Sequence, residues 1–289
     1  MAKLMSRARI GISGWRYAPW RGEFYPKGLR QKDELSFAAQ KFSSIEINGT
    51  FYSLQRPESF VAWHDAAPAD FVFAVKGPRF ITHLKKLGDV EVPLANFFAS
   101  GVLALNAKFG PVLWQLPPNF HFQPEKLAQF FNLLPRSTGE ALRLARRHDA
   151  RLKGRSWLKV QQDRPMRHAL EIRHDSFRDP AFVSLLRRHR IGLVVADTVE
   201  WPLLMDLTTD FVYVRLHGSE QLYASGYGPK ALATWAERIR AWQSGGEAEG
   251  VHVGSPARKQ KRDVFVYFDN DAKVRAPVDA AALIRLLDR

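Results

Sequence analysis

Phe211-Val212-Tyr213-Val214-Arg215-Leu216-His217 sets Val212, Val214 and Leu216 against Tyr213, Arg215 and His217. Successive side chains of a strand point to opposite faces, so one face is aliphatic and the other carries a phenol, a guanidinium and an imidazole. Runs of the same kind recur at residues 9–15, 44–50, 70–77, 110–117, 168–174, 191–198 and 263–270, which with 210–218 makes eight. Between them apolar residues fall at helical spacing, as in Leu127, Phe130, Phe131 and Leu134, or Leu232, Trp235, Ile239 and Trp242. Residues 199–210 are too few for more than a turn or two of helix. Strand–helix alternation implies parallel strands joined by right-handed crossovers. Eight such units close most naturally into a (β/α)₈ barrel of the TIM type, and 289 residues is an ordinary length for one. No linker divides the chain, so the expectation is one α/β domain over residues 1–289 with a basic insert at about 140–167.

A strand buried on both faces of a parallel barrel should read as almost continuous Val, Ile and Leu. Here the exceptions cluster late in the strands. Glu46 and Asn48 alternate with Ile45 and Ile47; Glu171 and Arg173 alternate with Leu170 and Ile172. Lys76 ends the third strand, Gln115 the fourth, Asp197 the sixth, and Asn270-Asp271 the eighth. The polar set is expected to face the axis and converge on the C-terminal mouth, where barrel active sites are built. Concentrated ionisable groups there point to function, since aliphatic side chains would fill a core at lower cost. Aromatic residues crowd the same rim. Trp15, Tyr17, Trp20, Phe24 and Tyr25 follow the first strand, and Tyr223 and Tyr227 stand amid Gly218, Gly226 and Gly228, a composition suited to a lid.

The chain has no cysteine, which excludes disulfides, thiolate metal sites and cysteine nucleophiles. It lacks the Gly-rich phosphate and dinucleotide fingerprints and the H-E-x-x-H zinc motif, so no cofactor is expected. Glu46, Glu171, Asp197 and His217 could form a carboxylate-rich Mg²⁺ or Mn²⁺ site, but Lys76, Arg173 and Arg215 would compete for those carboxylates, and the reading adopted holds no metal. No apolar run follows the basic residues of the first nine positions, and no segment is long enough for a membrane span, so a cytoplasmic location is expected and no membrane partner. The net charge is +14. Residues 140–167 hold nine basic against three acidic residues, and 258–262 hold Arg258, Lys259, Lys261 and Arg262. Both precede strands, which places them on the underside of a barrel.

These motifs together resemble the YecE-like family, domain of unknown function 72. The resemblance rests on Ile12-Ser13-Gly14-Trp15, Glu46-Ile47-Asn48-Gly49-Thr50-Phe51-Tyr52, Phe73-Ala74-Val75-Lys76, Ile81-Thr82-His83, Gln115-Leu116-Pro117-Pro118, Glu171-Ile172-Arg173-His174, Arg215-Leu216-His217-Gly218 and Tyr267-Phe268-Asp269-Asn270-Asp271. Gly49 stands where the family commonly has Ser. The resemblance implies a TIM-type barrel and supplies no reaction.

The chemistry expected from the residues is that of an enzyme on a small anionic substrate bearing phosphate or carboxylate, by hydrolysis, isomerisation or lyase chemistry. Glu46, Glu171, Asp197 and His217 are the candidate catalytic groups. Asn48, Lys76, Gln115, Arg173, Arg215, Tyr223, Tyr227, Trp15, Trp20 and Asn270 are the candidate binding groups. Arg215 is expected to be the arginine free for the anion, with Arg173 held by Glu171. The alternatives are nucleic-acid binding or processing, resembling barrel repair nucleases, and a non-catalytic ligand-binding protein.

Overall fold

The computed structural model describes residues 7–218 and 222–288; residues 1–6, on which much of the leader reading falls, lie outside them. The strands are β1 (Ala8–Ser13), β2 (Ser44–Ile47), β3 (Val72–Lys76), β4 (Phe109–Gln115), β5 (His168–Glu171), β6 (Ile191–Asp197), β7 (Phe211–Leu216) and β8 (Asp263–Phe268). Each pairs in parallel with its sequence neighbour, and β8 pairs with β1 to close the barrel. Every run expected from the alternation is a strand. The runs overshoot at their C-terminal ends, because the chain leaves the ladder there to build loops. Asn48 already has helical backbone angles.

The helices are α1 (Glu34–Lys41), α2 (Gly49–Tyr52), α3 (Pro57–Ala66), α4 (Glu91–Ala99), α5 (Pro124–Leu133), α6 (Thr138–Ala145), α7 (Pro180–Arg188), α8 (Pro229–Ser244) and α9 (Arg275–Leu287). Proline opens α3, α5, α7 and α8, where its missing N–H costs nothing and its fixed φ suits the first turn. Asp179 caps α7 by accepting from Ala181 N at 2.7 Å. Gly245 ends α8 at φ +101°, in the left-handed region glycine enters freely. The β6–β7 connection holds no α-helix, as its length predicts. No helix among the described residues is long and apolar enough to cross a membrane.

Period two along each strand divides the interior into two layers. Ile10, Ile12, Ile45, Ile47, Val75, Leu170, Val195, Val214 and Phe268 pack outward against the helices. Ala74, Leu113, Ala169, Val194, Tyr213, Phe265 and Tyr267 fill the axis. Tyr267 donates or accepts a 2.7 Å bond with Ser44 Oγ across this inner layer. The C-terminal ends of the two basic segments lie below it. Arg167, just before β5, bridges Asp210 and Asp263 at 2.8 Å each, and these residues stand at the N-terminal ends of β7 and β8. Arg262 is buried on the same face, with Nε donating to Thr209 O at 2.9 Å.

Candidate functional site

Above the inner aromatic layer, the next residues of the same parity are Ser13, Glu46, Lys76, Gln115, Glu171, Arg215 and Asp269. Arg215 is their centre. Its side chain is fully buried, yet it reaches three strands. Nη2 and Nε donate to Glu46 at 2.9 and 3.1 Å, Nη1 to Glu171 at 2.7 Å, and Nη2 to Asp269 at 2.8 Å. Nη2 also lies 3.2 Å from Ser13 Oγ. Such charge-assisted bonds satisfy the guanidinium fork, which tolerates burial only when so paired.

The carboxylates are equally committed. Glu46 receives Ser13 Oγ and Arg215 on one oxygen, and Tyr213 Oη at 2.5 Å with Arg215 on the other. Glu171 gives one oxygen to Arg215 and the other to Arg173 Nε and Nη2, at 2.8 and 2.7 Å. Burial would raise the Glu171 carboxyl, but the guanidiniums of Arg215 and Arg173 outweigh it and hold it well below the usual range. Each oxygen of the two glutamates accepts at least one such bond, so general acid or base action by either would draw on a group already held in the network.

His217 is buried beneath the edges of Trp201 and Tyr223, whose ring centroids lie 5.4 and 5.5 Å away. Its Nδ1 sits 3.1 Å from Asp269 Oδ2 without an aligned hydrogen bond, and Nε2 is 3.5 Å from Arg215 Nη1. Burial and the Arg215 charge lower its pKa, so the ring is neutral near pH 7.

Lys76 differs from all of these. It is 7% exposed, and its Nζ has no hydrogen-bond acceptor and no carboxylate within 4.0 Å among the described residues. It lies over the Phe51 ring, 4.3 Å from Nζ to the centroid. Burial, then the repulsion of Arg215, depresses its pKa to about 8 against the pull of Glu46, Asp269 and Glu171. Gly77 behind it allows the close approach of the β4 tryptophan, since a Cβ there would meet the Trp114 ring at 2.3 Å. His83 packs edge-on against Phe51, 5.1 Å between centroids. Burial and the charges of Arg173, Lys76 and Arg79 push His83 down to about 4, so it too is neutral at pH 7.

Arg173 lies at the rim. Its guanidinium stacks 3.6 Å over Trp201, and Nη2 reaches Tyr223 Oη at 3.4 Å. Nη1 has no acceptor among the described residues. The expectation about the two arginines is therefore reversed: Arg215 holds the framework and Arg173 keeps a free edge.

Other expected residues turn elsewhere. Asp197 belongs to the outward parity of β6, and its Oδ2 accepts from Trp235 Nε1 of α8 at 3.1 Å. Asn270 is outward too, donating to Asp279 of α9 at 2.8 Å and to Ser225 O at 2.9 Å. Tyr227 is buried behind the strands and donates to Asp197; its Oη also accepts from Gly218 N at 3.2 Å. Trp20 is fully buried, with Nε1 donating to Asp271 O at 3.2 Å. None of these four faces the mouth. Trp15 and Asn48 line a separate cleft of about 220 Å³ with Tyr17 and Trp63, while Asn48 Nδ2 donates to Ser13 at 2.8 Å. Gln115 stands beside Glu171 in register. The residues that join the site unannounced are Asp269, Ser13, His83 and Trp201.

The fold and the site define a closed parallel barrel with a guanidinium-centred carboxylate network at its strand ends. The chain belongs to the family described as protein of unknown function DUF72, whose model matches residues 9–289. It is 28% identical over 131 residues to the UPF0759 protein YecE of Escherichia coli K12. That match covers 45% of this chain and 44% of YecE, so the chain spans under half of that relative's length. The UPF0759 protein YunF of Bacillus subtilis is 22% identical across 317 aligned positions, 96% of this chain and 94% of YunF. A crystal structure of a DUF72 family protein from Thermotoga maritima superposes with a TM-score of 0.72 at 22% identity, covering 98% of this chain and all of that one. One from Enterococcus faecalis reaches 0.67 at 16% identity, covering 98% and 96%. These likenesses agree on the fold.

Proposed function

We propose that the chain is an enzyme of small anionic metabolites, whose phosphate or carboxylate lies at the barrel mouth against Lys76 and the free edge of Arg173. One observation carries the reading: Lys76 is a buried ammonium with no carboxylate of its own among the described residues. A buried charge without a counter-ion is costly, and a ligand anion is the partner that would offset it. Arg79 and Arg173 add positive charge beside His83, and Trp201 holds the Arg173 plane in place. Proton transfer in this reading falls to groups with a free valence at neutral pH. His83 is one, since Nδ1 pairs with Thr82 Oγ1 at 2.9 Å and Nε2 has no partner among the described residues. Lys76 is the other.

The nucleic-acid alternative draws on charge at 140–167 and 258–262, of which Arg167 and Arg262 lie below the barrel, and the mouth adds little to it. The test is titration of inorganic phosphate and of pyruvate into wild type, Lys76→Met and Arg173→Ala, with thermal melts to check folding. Losing one charge-assisted contact should weaken binding roughly ten- to a hundredfold. Equal affinity in wild type and Lys76→Met would remove the mouth as the anion site.

A further inference from the structure

We propose that Lys76 is a nucleophilic amine that forms an imine with the carbonyl group of an oxo acid or ketose phosphate. The proposal rests on the reading of the mouth as an anion site and specifies what the substrate must carry besides its acid group.

Geometry carries it. The other two cations of the network are tied to carboxylates: Arg215 to Glu46, Glu171 and Asp269, and Arg173 to Glu171. Lys76 stands on the same inward face of the barrel and, among the described residues, is tied to none. A lysine meant only to neutralise charge would be drawn to a carboxylate oxygen, but here Arg215 and Arg173 bridge Glu46 and Glu171, and Arg215 also takes Asp269 Oδ2. Nζ lies over an aromatic face and feels a neighbouring guanidinium, with the carboxylates of Glu46, Asp269 and Glu171 acting from further off. Desolvation beside a second cation is the environment that keeps a lysine partly unprotonated and nucleophilic near neutral pH. The mouth supplies the rest. Arg173 Nη1 is available to fix the acid group, so that a carbonyl one or two carbons away comes over Lys76. Neutral His83, whose Nε2 has no partner among the described residues, packs edge-on against the same Phe51 ring and can carry a proton.

The step balances without a further reactant. The nitrogen lone pair attacks the carbonyl carbon, and the C–O π pair moves to oxygen, which takes a proton to give a carbinolamine. Loss of a second N–H proton and departure of the hydroxyl as water leave a C=N bond to Lys76. The net change is amine plus carbonyl to imine plus water, with no redox change.

Borohydride reduction fixes such an imine as a stable secondary amine. The full chain is incubated with pyruvate, or with dihydroxyacetone phosphate, reduced with sodium borohydride and mapped by peptide mass spectrometry, while phosphate binding to wild type is measured in parallel. The expected result is a reduced adduct on Lys76 that excess phosphate suppresses. Lys76→Arg, which keeps the cation but has no amine to condense, loses it. Phosphate binding without an adduct at Lys76, or with adducts confined to surface lysines, overturns the imine and leaves the anion site standing. An adduct on Lys76 that phosphate does not suppress overturns the coupling of carbonyl and anion in one pocket. Absence of both adduct and phosphate binding overturns the reading of the mouth as well.

Discussion

An ammonium held at 7% exposure with no counter-ion among the described residues works against folding, and the effect has a sign and a window. The Lys76 pKa falls from 10.5 to about 8 in the folded chain. Between these values the unfolded chain binds more protons, so this group's contribution raises stability as pH climbs from about 8 to 10.5. Below about 8 the full cost is present, on the order of 3 kcal/mol at ~1.4 kcal/mol per unit. Lys76→Met should therefore be more stable than wild type at pH 7, and the advantage should shrink in melts run through pH 10. A variant less stable than wild type at pH 7 would mark Lys76 as a structural residue and weaken its assignment to function. Stability given up at one position in this way is a common mark of a working site.

At the scale of elements, the ends of the strands split into two sets with different work. Inward ends make the network; outward ends fasten strands to helices. Asp197 ties β6 to Trp235 of α8, and Asn270 ties β8 to Asp279 of α9. Asp197→Ala should cost about 1–3 kcal/mol of stability, read as a lowered Tm, because Trp235 Nε1 and Tyr227 Oη lose a buried acceptor. Phosphate affinity should not change; a loss of binding would return Asp197 to the mouth. This division was open to reading before any coordinates. Val195 and Leu193 share the parity of Asp197 and belong to the outer layer, while Tyr267 shares the parity of Asp269 and belongs to the inner one. Period two alone selects Glu46, Lys76, Glu171, Arg173, Arg215 and His217 correctly. Applied to the eighth strand, it selects Asp269 over Asn270. The identity of the free cation was not legible, because it depends on which carboxylates each arginine reaches across the barrel. Sequence neighbours suggested that Glu171 would occupy Arg173 alone, but its second oxygen goes to Arg215, two strands away. His83 and Trp201 sit on loops, where strand periodicity gives no direction.

For the whole molecule the question is which face of a strongly basic barrel takes an anion. The underside carries much of the charge and holds a cleft of about 740 Å³ lined by Arg136, Arg167, Arg188 and Arg190. Arg167 is spent there on Asp210 and Asp263, and the cleft joins helix-to-strand loops rather than strand ends. The mouth carries less charge but leaves part of it unpaired in a setting of low polarity, where each interaction counts for more. In the proposed function, steering by the net charge of +14 and binding by Lys76 fall to separate faces. The most direct test is a crystal structure of the chain grown at low ionic strength with inorganic phosphate. The account predicts a phosphate within hydrogen-bonding distance of Lys76 Nζ and Arg173 Nη1. Phosphate bound only in the Arg136–Arg190 cleft, with the mouth empty, would contradict it.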